Sequence, residues 1–495
     1  MPPGCTLSAE NADVLQVGNV AKQLTDGYAL LGHLSPQHAR IVEQLANVFA
    51  RAGKDLFLVG GPVRDLLLGT EPADLDFTTN AIPMKTRAIG ETIPGATIFD
   101  IGEKYGTIGV VVPGIGSSVP VEITTFRSEN YQPGSRHPDV QFGDDIVTDL
   151  GRRDITVNAI AINVASGEII DPFYGRADIE IATLRAVGDA DERFAEDPLR
   201  LLRVARFVSQ LGFTIEAATF HAMARQAPKL AHISKERIYA ELTRLLIGEY
   251  PGDGLQVLLD TGLLTIAMPQ LQGLANEALS TPGIHREKDL WEHTKQVVAQ
   301  SVPRPIVRWS ALLHDAAKPH TRTVDERGEV HFYGHELVGA RQAARLLQEL
   351  KADKKTEKHV RRIVELHQRP GVYDARTWTD SAVRRLALEA GDVLHDLIDL
   401  AAADVTSGKA HKQRQARERV EQLRQHIARL EEEQALNEIQ SPLDGTDLMA
   451  MFDRAPGKWI AEIKDHLREL VIDGDLAPDD VDRAREIAIA MMAER

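Results

Sequence analysis

Strand-like segments are confined to roughly the first 186 residues of this 495-residue chain. Short apolar runs such as DLFLVGG, ADLDFTTN, TIGVVVPG and VPVEITTFR are typical of strands. From RFAEDPLRLLRVARF onwards, amphipathic helical spacing with glycine punctuation dominates to the end. A chain of this length exceeds what one hydrophobic core serves. We therefore expect an α+β fold, with a mixed sheet and helices in an N-terminal head, followed by an all-α neck, body and tail.

The domain boundaries follow from these changes in pattern and from clusters of Pro, Gly and polar residues. Two such clusters, LSTPGIHRE and TSGKAHK, mark candidate joints in the helical part. The predicted domains are an N-terminal extension and helix (1–54), a head (55–186), a helical neck (187–280), a helical body (281–408) and a helical tail (409–495).

Charge and cysteine content restrict the class of protein. The net charge of −16 argues against a protein that coats nucleic acid nonspecifically, so an RNA partner needs a local basic face. The single cysteine, Cys5, excludes an internal disulfide framework and fits a reducing compartment. The sequence lacks a membrane-spanning apolar run and a signal peptide pattern. We expect a cytoplasmic protein without a membrane partner, and the sequence leaves a homodimer open.

The segment ADLDFTTN places two carboxylates on one face of a predicted strand, because Asp74 and Asp76 flank Leu75. Glu122, in VEITTFR, could add a third carboxylate at the same sheet. Such a group resists ionisation unless a cation neutralises it. Mg²⁺ prefers oxygen ligands and shares them with substrate phosphates, so this pattern indicates phosphoryl or nucleotidyl transfer. A solvated strand end is the alternative for the Asp pair alone.

A second feature lies between the first predicted strand and the helix after it. Gly60 and Gly61 lack Cβ atoms, so backbone N–H groups there can approach a phosphate. Arg64 adds a guanidinium that matches phosphate geometry. An ordinary tight turn uses the same pair of glycines, so this signal is weak without its neighbours.

The order of five motifs is more specific than any one of them. GGPVRDLLLG, DLDFTTN, RRDITVNAIAIN, DPFYGRADI and EDPLRLLRVARF resemble the bacterial class II CCA-adding tRNA nucleotidyltransferase and poly(A) polymerase family, and SPLDGTDLMAMFDR resembles its tail. The resemblance implies a nucleotidyltransferase head, a neck that carries a base template, and a tail that binds tRNA. It assigns Asp74 and Asp76 to catalytic Mg²⁺, Glu122 to the third carboxylate, Arg153 to the triphosphate, Asp154 to the ribose hydroxyl and Asn158 to its support.

The neck motif EDPLRLLRVARF carries Arg200, Arg203 and Arg206 at three-residue spacing on one predicted helix. Asp197 before Pro198 is typical of a helix N-cap, and a solvated basic stripe is the ordinary interpretation of the arginines. In the resembled family, the Asp and the first Arg form a protein template for the incoming base. We also expect the arginines and the tail helices to give tRNA a limited basic surface.

The template idea agrees with the chemistry of the bases. Cytosine and adenine both present an amino donor beside a ring-nitrogen acceptor, which a carboxylate and a guanidinium can match. Uracil and guanine present the reverse order. The resemblance thus implies CTP and ATP as substrates and the 3′ end of tRNA as acceptor, with no DNA partner. The loop FRSENYQPGSRHPDVQF resembles the family's flexible loop and favours CCA addition over CC addition alone.

A second set of residues, in the predicted body, resembles the HD phosphohydrolase superfamily. Imidazole and carboxylate ligands favour Mn, Fe, Co, Ni or Zn over Mg²⁺. The resemblance implies phosphohydrolase activity on RNA ends, and an HD fold retained only for structure is the alternative. The predicted metal ligands are His293, His314, Asp315 and Asp404, with His335 and His367 binding a second ion or orienting phosphate.

Two other functions stay open at this stage. A bacterial poly(A) polymerase shares the head motifs, although such enzymes tend to have a basic tail and no HD domain. A non-catalytic RNA-end binding protein is the other alternative, and the intact Asp74, Asp76, Arg153 and Asp197 oppose it. The sequence does not separate CCA addition from the addition of A alone.

Overall fold

The computed structural model describes residues 26–114, 118–130, 139–275, 289–405, 410–432 and 441–493. The chain divides into two compact units, Met1–Ala267 and Met268–Arg495. The predicted α+β class is confirmed, with a mixed sheet and helices in the first unit and a helical second unit. The finer division into five domains stays a prediction.

Several predictions fall wholly or partly outside the described residues. Cys5 and the extension up to residue 25 lie there, as does the candidate joint LSTPGIHRE. The first four residues of the joint TSGKAHK and residues 131–138 of the loop FRSENYQPGSRHPDVQF lie there as well. Within the residues that are described, no helix combines the length and apolar composition needed to cross a membrane.

The first unit is built on a seven-stranded sheet. The strands described in the unit are β1 (Leu56–Val59), β2 (Asp76–Thr79), β3 (Thr97–Gly102), β4 (Thr107–Pro113), β5 (Ser118–Thr125), β6 (Arg127–Asn130), β7 (Asp139–Phe142), β8 (Ala161–Asn163), β9 (Ile169–Ile170), β10 (Thr183–Leu184) and β11 (Thr214–Ile215). The strand order of the sheet is β3-β4-β5-β2-β1-β8-β9, and among these described strands β2 and β5 are its one parallel pair.

The helices of this unit pack around the sheet and continue beyond it. All four residues of β1 are buried, as its apolar run predicts. The helices are α1 (Gly27–Leu31), α2 (Pro36–Arg51), α3 (Gly61–Leu67), α4 (Pro83–Gly90), α5 (Ile146–Gly151), α6 (Gly175–Glu180), α7 (Ala190–Glu196), α8 (Leu199–Leu211), α9 (Ala217–Gln226), α10 (Lys235–Leu246), α11 (Pro251–Asp260) and α12 (Leu263–Ala267).

Two local expectations in the first unit need correction. The strand predicted from ADLDFTTN begins only at Asp76, so Asp74 lies in the turn before it. The predicted all-α neck also contains a strand, because β11 pairs in parallel with β10. The capping role expected of Asp197 is present, since its backbone is extended and its Oδ1 accepts from the backbone N–H of Leu199 at 3.1 Å, at the start of α8.

Where its residues are described, the second unit is helical apart from a hairpin formed by β12 (Arg322–Val324) and β13 (Val330–Phe332), which the prediction of an all-α body missed. Helix α16 packs against α17, and α14 packs against both α17 and α19. The helices are α13 (Leu290–Gln300), α14 (Pro305–Leu313), α15 (Lys318–Thr321), α16 (His335–Glu349), α17 (Lys354–Leu366), α18 (Asp380–Ala390), α19 (Leu394–Ala403), α20 (Ala410–Glu432), α21 (Gly445–Phe452), α22 (Lys458–Asp473) and α23 (Val481–Ala493).

Helix α20 is a helix of the bundle in the second unit. Its apolar stripe, Val420, Leu423, Ile427 and Leu430, is buried, and the helix packs against α18 and α19. The last three helices enclose a separate apolar cluster around Trp459.

Candidate functional site

Three carboxylates meet at one end of the parallel strand pair in the first unit. Asp76, the first residue of β2, lies directly opposite Glu122 on β5. Leu75, which lies between the two aspartates in sequence, is buried. Asp74 and Glu122 are exposed. Burial and the negative charges of Asp74 and Glu122 raise the pKa of Asp76 to about 6. The predicted acidic cluster is thus formed, and its members lie close enough to repel one another.

This cluster fits a magnesium ion. All of its donors are carboxylate oxygens, which Mg²⁺ prefers over nitrogen or sulfur ligands. A divalent cation would also remove the repulsion that raises the pKa of Asp76. Asp74, Asp76 and Glu122 are therefore the residues that would supply ligands to such an ion, and phosphate oxygens of a substrate could share it.

A glycine turn and Arg153 lie next to the carboxylates. Gly60 has φ +81°, and a Cβ atom there would lie 2.8 Å from Arg153 Nη1. The positive φ favours glycine at this position, and a Cβ atom there would also displace the guanidinium. At Gly61, a Cβ atom would make only an ordinary contact at 3.6 Å, so nothing in the structure requires glycine at that position. Arg153 also interacts electrostatically with the carboxylate of Asp76.

Arg64 and Asn158 form a direct contact in this part of the head. Arg64 Nη1 donates to Asn158 Oδ1 at 2.7 Å, and Arg64 Nη2 donates to Asp65 Oδ1 at 2.7 Å. Asn158 is buried and ends a short 3-10 turn, Thr156–Asn158. Burial raises the pKa of Asp65, and the neighbouring Arg64 opposes this. The structure thus brings these two predicted site residues together.

Asp154 connects the sheet-bearing head to helix α8. Its Oδ2 accepts a hydrogen bond from Arg203 Nε at 2.6 Å, and the carboxylate is buried. Burial favours the neutral acid, but the charges of Arg203, Arg200 and Arg206 outweigh it and lower the pKa of Asp154 to about 2. Asp154 does not act as a helix cap, because its Oδ1 accepts from the backbone N–H of the next residue, Ile155, and no side chain caps the turn that follows.

The prediction that the arginines of α8 form an exposed basic surface is wrong. Arg200 and Arg206 are each only 7% exposed, and Arg206 forms an ion pair with Glu241 at 3.2 Å. Arg203 is engaged by Asp154. The three arginines do not form an open stripe, because each is paired with a different acidic partner, Glu196, Asp154 or Glu241. Arg200 and Arg206 therefore cannot offer a surface to a tRNA phosphate backbone.

The two residues of the predicted base template have separate partners. Arg200 Nη1 donates to Glu196 Oε2 at 2.6 Å, and Arg200 Nη2 donates to the carbonyl of Arg152 at 2.9 Å. Asp197 Oδ2 accepts from Arg237 Nη2 at 2.7 Å. Sequence reasoning missed Arg237, which lies 40 residues away on α10. The motif around Asp197 contains no signal that points to it.

In the second unit, the six predicted metal ligands converge. Asp315, just after α14, lies between two groups of histidines. Its Oδ2 is 3.2 Å from both His293 Nε2 and His314 Nε2. Its Oδ1 is 3.4 Å from His335 Nε2 and 3.8 Å from His367 Nε2. Asp404 extends the first group, since its Oδ1 is 3.4 Å from His293 Nε2.

The tautomers of these histidines follow from their backbone contacts. Nδ1 of His314, His335 and His367 lies 2.7–2.8 Å from a carbonyl oxygen, which only accepts, so Nδ1 carries the proton. The Nε2 lone pairs of His335 and His367 then face each other at 3.3 Å. Asp315 Oδ1 is buried and has no hydrogen-bond partner among the described residues. Such opposed acceptors fit a bound cation.

The charges of the cluster agree with this view. Burial opposes the charged form, yet Asp315 and Asp404 raise the pKa of His314 to about 8. Burial, and then the charge of His314, lower the pKa of His367 to about 4. The two groups share Asp315, so the residues present can hold one ion on each side of this carboxylate.

Comparison with known proteins assigns the head to the nucleotidyltransferases. A family model described as the Poly A polymerase head domain matches residues 56–185. A model described as "Probable RNA and SrmB- binding site of polymerase A" matches residues 212–274, and one for tRNA nucleotidyltransferase domain 2 matches residues 335–480. None of these three is an HD domain model, so the HD resemblance stays a prediction.

The chain belongs to the CCA-adding enzyme family. It is 39% identical over 290 residues to the CCA-adding enzyme of Geobacillus thermodenitrificans, covering 57% of this chain and 66% of the relative. It is 31% identical over 427 residues to that of Geobacillus sp. strain WCH70, covering 86% and 90%. The crystal structure of the Bacillus stearothermophilus CCA-adding enzyme in complex with CTP matches with TM-score 0.67 and 28% identity, covering 91% of this chain and 98% of the other. The family prediction is thus confirmed.

Proposed function

We propose that this protein adds C, C and A to the 3′ end of tRNA, using CTP and ATP and releasing pyrophosphate. The observation that carries the proposal is the register that sets Asp76 opposite Glu122, with Asp74 beside them. Relatives named as CCA-adding enzymes and the similar structure in complex with CTP support this choice of substrates. We retain the cytoplasm as its location, and a homodimer stays open.

The residues of the head have distinct roles in this proposal. The three carboxylates would hold two Mg²⁺ ions, which would activate the tRNA 3′-hydroxyl and offset the negative charge of the phosphates. Arg153, packed on the Gly60 turn, contacts the triphosphate. Asp154, held in place by Arg203, contacts the ribose hydroxyl. Asn158 supports that contact and orients Arg64. These side chains align the α-phosphate with the attacking hydroxyl, and pyrophosphate leaves.

Selection of the base rests on Asp197 and Arg200. The carboxylate accepts from the amino group that cytosine and adenine share, and the guanidinium donates to the adjacent ring nitrogen. One good bidentate contact discriminates by about 1–3 kcal/mol. Asp197→Ala should therefore keep metal binding in the head and lose choice among nucleotides. A competition assay with all four nucleotides measures this, and unchanged discrimination would remove the template from the proposal.

Incubation of the protein with each nucleotide separately tests the reaction itself. The acceptors are tRNA transcripts that end before the CCA sequence or after CC. The proposal expects CMP on the first acceptor and AMP only on the second. A poly(A) polymerase adds AMP to both and continues, and a binding protein adds nothing. Either of those results would replace the proposed function.

We propose a second activity for the second unit: a phosphohydrolase that acts on phosphates or cyclic phosphates at RNA ends. Its support is the convergence of four histidines and two aspartates with inward Nε2 atoms. These ligands suit a transition metal such as Mn, Ni or Co. The alternative is a cluster retained for structure, in which a bound metal only stabilises the unit.

His314→Ala tests this second activity. The variant should lose bound metal, measured by elemental analysis, and lose hydrolysis of an RNA ending in a cyclic phosphate. The control is His395→Ala, which removes an exposed histidine on α19 that pairs with Glu431. Equal hydrolysis by wild type and His314→Ala would remove the hydrolase from the proposal. If His314→Ala loses its bound metal but the wild type itself shows no hydrolysis, the structural alternative is favoured.

A further inference from the structure

We propose that Arg237 is a positioning residue that fixes the Asp197 carboxylate in the one register that accepts cytosine and adenine and rejects uracil. The inference deepens the proposed function and rests on it, because it concerns the same base template. Arg237 lies on α10, outside the motif that carries Asp197 and Arg200.

The Asp197 carboxylate is held at both oxygens. Oδ1 accepts from the backbone N–H of Leu199 at 3.1 Å, at the start of α8. Oδ2 accepts from Arg237 Nη2 at 2.7 Å, which is the length of a charge-assisted hydrogen bond. Rotation of the carboxylate about its Cβ–Cγ bond would break one or both of these bonds. Each oxygen has a second lone pair, so both contacts leave room for a base amino group.

Fixed orientation matters because the edges of cytosine and uracil differ only in the order of their groups. Cytosine presents an amino donor and then a ring-nitrogen acceptor. Uracil presents a carbonyl acceptor and then a ring N–H donor. A carboxylate that moves one position along this edge meets the ring N–H of uracil and accepts from it. Rejection of uracil therefore depends on preventing that movement, and not on the presence of a carboxylate alone.

The other half of the template has its own support. Arg200 is bound by Glu196, by the carbonyl of Arg193 and by the carbonyl of Arg152. These contacts fix its guanidinium without using Asp197. Arg237 provides the corresponding support for Asp197, so the two halves are held by different elements. Because the Asp197 side chain remains 20% exposed and that of Arg237 39% exposed, the pair lies where an incoming base can reach the carboxylate.

Arg237→Gln tests the inference through the ratio of kcat/KM for CTP to that for UTP. CMP incorporation should continue, while the ratio should fall about ten-fold, which corresponds to about 1.4 kcal/mol. Arg237→Lys keeps one charged donor without the planar fork, so its ratio should fall less. The matched control is Arg244→Gln on the same helix, which removes an exposed arginine whose side chain is 59% exposed and should leave the ratio unchanged.

A second measurement separates positioning from a general structural role. In an Asp197→Ala background, Arg237→Gln should not change the CTP to UTP ratio further, because its partner is gone. The inference would be overturned if Arg237→Gln left the CTP to UTP ratio unchanged, or if Arg244→Gln lowered it equally. It would also be overturned if Arg237→Gln lowered the ratio as much in the Asp197→Ala background as in the wild type. If Arg237→Gln unfolds at the assay temperature, Arg237→Lys decides, and a wild-type ratio in it overturns the inference.

Failure of the proposed function is distinguishable from failure of this inference. A wild-type protein that adds no CMP to a tRNA acceptor overturns both. If the wild-type protein adds CMP with a high CTP to UTP ratio and Arg237→Gln shows the same ratio, only the role of Arg237 is overturned.

Discussion

Replacement of Asp76 by Asn should stabilise the metal-free protein and abolish nucleotide addition. Burial and the charges of Asp74 and Glu122 raise the pKa of Asp76 from its ordinary value of 3.8 to about 6. The folded protein thus holds the Asp76 proton more tightly than the unfolded chain does. This contribution to stability is complete below pH 3.8 and is lost as the pH rises through about 6. Above that pH, the ionised carboxylate opposes folding.

The magnitude follows from the two pKa values. Each pH unit between them corresponds to about 1.4 kcal/mol, so a rise from 3.8 to about 6 corresponds to about 3 kcal/mol at pH 8. Asn cannot ionise and should escape this cost. For a unit of this size, about 3 kcal/mol raises the melting temperature by roughly 6–12 °C. At pH 5 the advantage of Asn should be about half as large.

Scanning calorimetry in the presence of a chelator, at pH 5 and pH 8, measures this effect. The control is Asp144→Asn, which neutralises an exposed carboxylate and should change the melting temperature little at either pH. Addition of Mg²⁺ should stabilise the wild type more than Asp76→Asn, because the ion binds the complete set of carboxylates. An Asn variant that is no more stable than wild type at pH 8 would refute the account of crowded carboxylates.

Three further predictions concern other parts of the chain. Gly60→Ala should raise KM for CTP, because the new Cβ atom would lie 2.8 Å from the Arg153 guanidinium and displace it. The control Gly53→Ala, at φ +64° with no atom within 4 Å, should lower stability by about 1 kcal/mol and leave KM unchanged. The same KM for CTP in both variants would contradict this prediction. Arg203→Gln should cost about 2 kcal/mol in denaturant unfolding, because Asp154 stays buried and loses the partner that lowers its pKa from 3.8 to about 2. Since the pKa of Asp154 is about 2, that loss should hold above pH 4 and shrink as the pH falls toward 2; a loss that is independent of pH would argue against it. Metal removal by a chelator should lower the melting temperature of the second unit in wild type but not in His314→Ala, and an equal response would contradict a metal centre at this cluster.

The sequence predicted features that depend on local spacing or on ordered motifs. The alternation through Asp74, Leu75 and Asp76 determines which side chains are exposed, and the structure confirms the alternation although the strand begins at Asp76. The ligands of the second unit could be chosen because each stands at or near a helix end within a recognisable motif. The apolar stripe of α20 likewise predicted its buried face.

The features that the sequence did not predict depend on packing between distant elements. Spacing shows that Arg203 and Arg206 are neighbours on one helix, but not that they meet Asp154 and Glu241, which lie on other elements. The partner of Asp197 is an arginine on another helix, and no pattern within either helix encodes their contact. Such pairs depend on tertiary structure, so they appear only once the helices have been placed.

The most direct test of the account is nucleotide addition by a variant that carries both Asp74→Asn and Asp76→Asn. Purified wild-type protein with Mg²⁺, CTP and ATP should extend a tRNA transcript that lacks its terminus by C, C and A in that order. The double variant should be slower by a factor of at least about 1,000, since the transition state would lose its metal ligands, equivalent to about 4 kcal/mol. Extension by the double variant at the wild-type rate would contradict the central claim that these carboxylates drive the reaction.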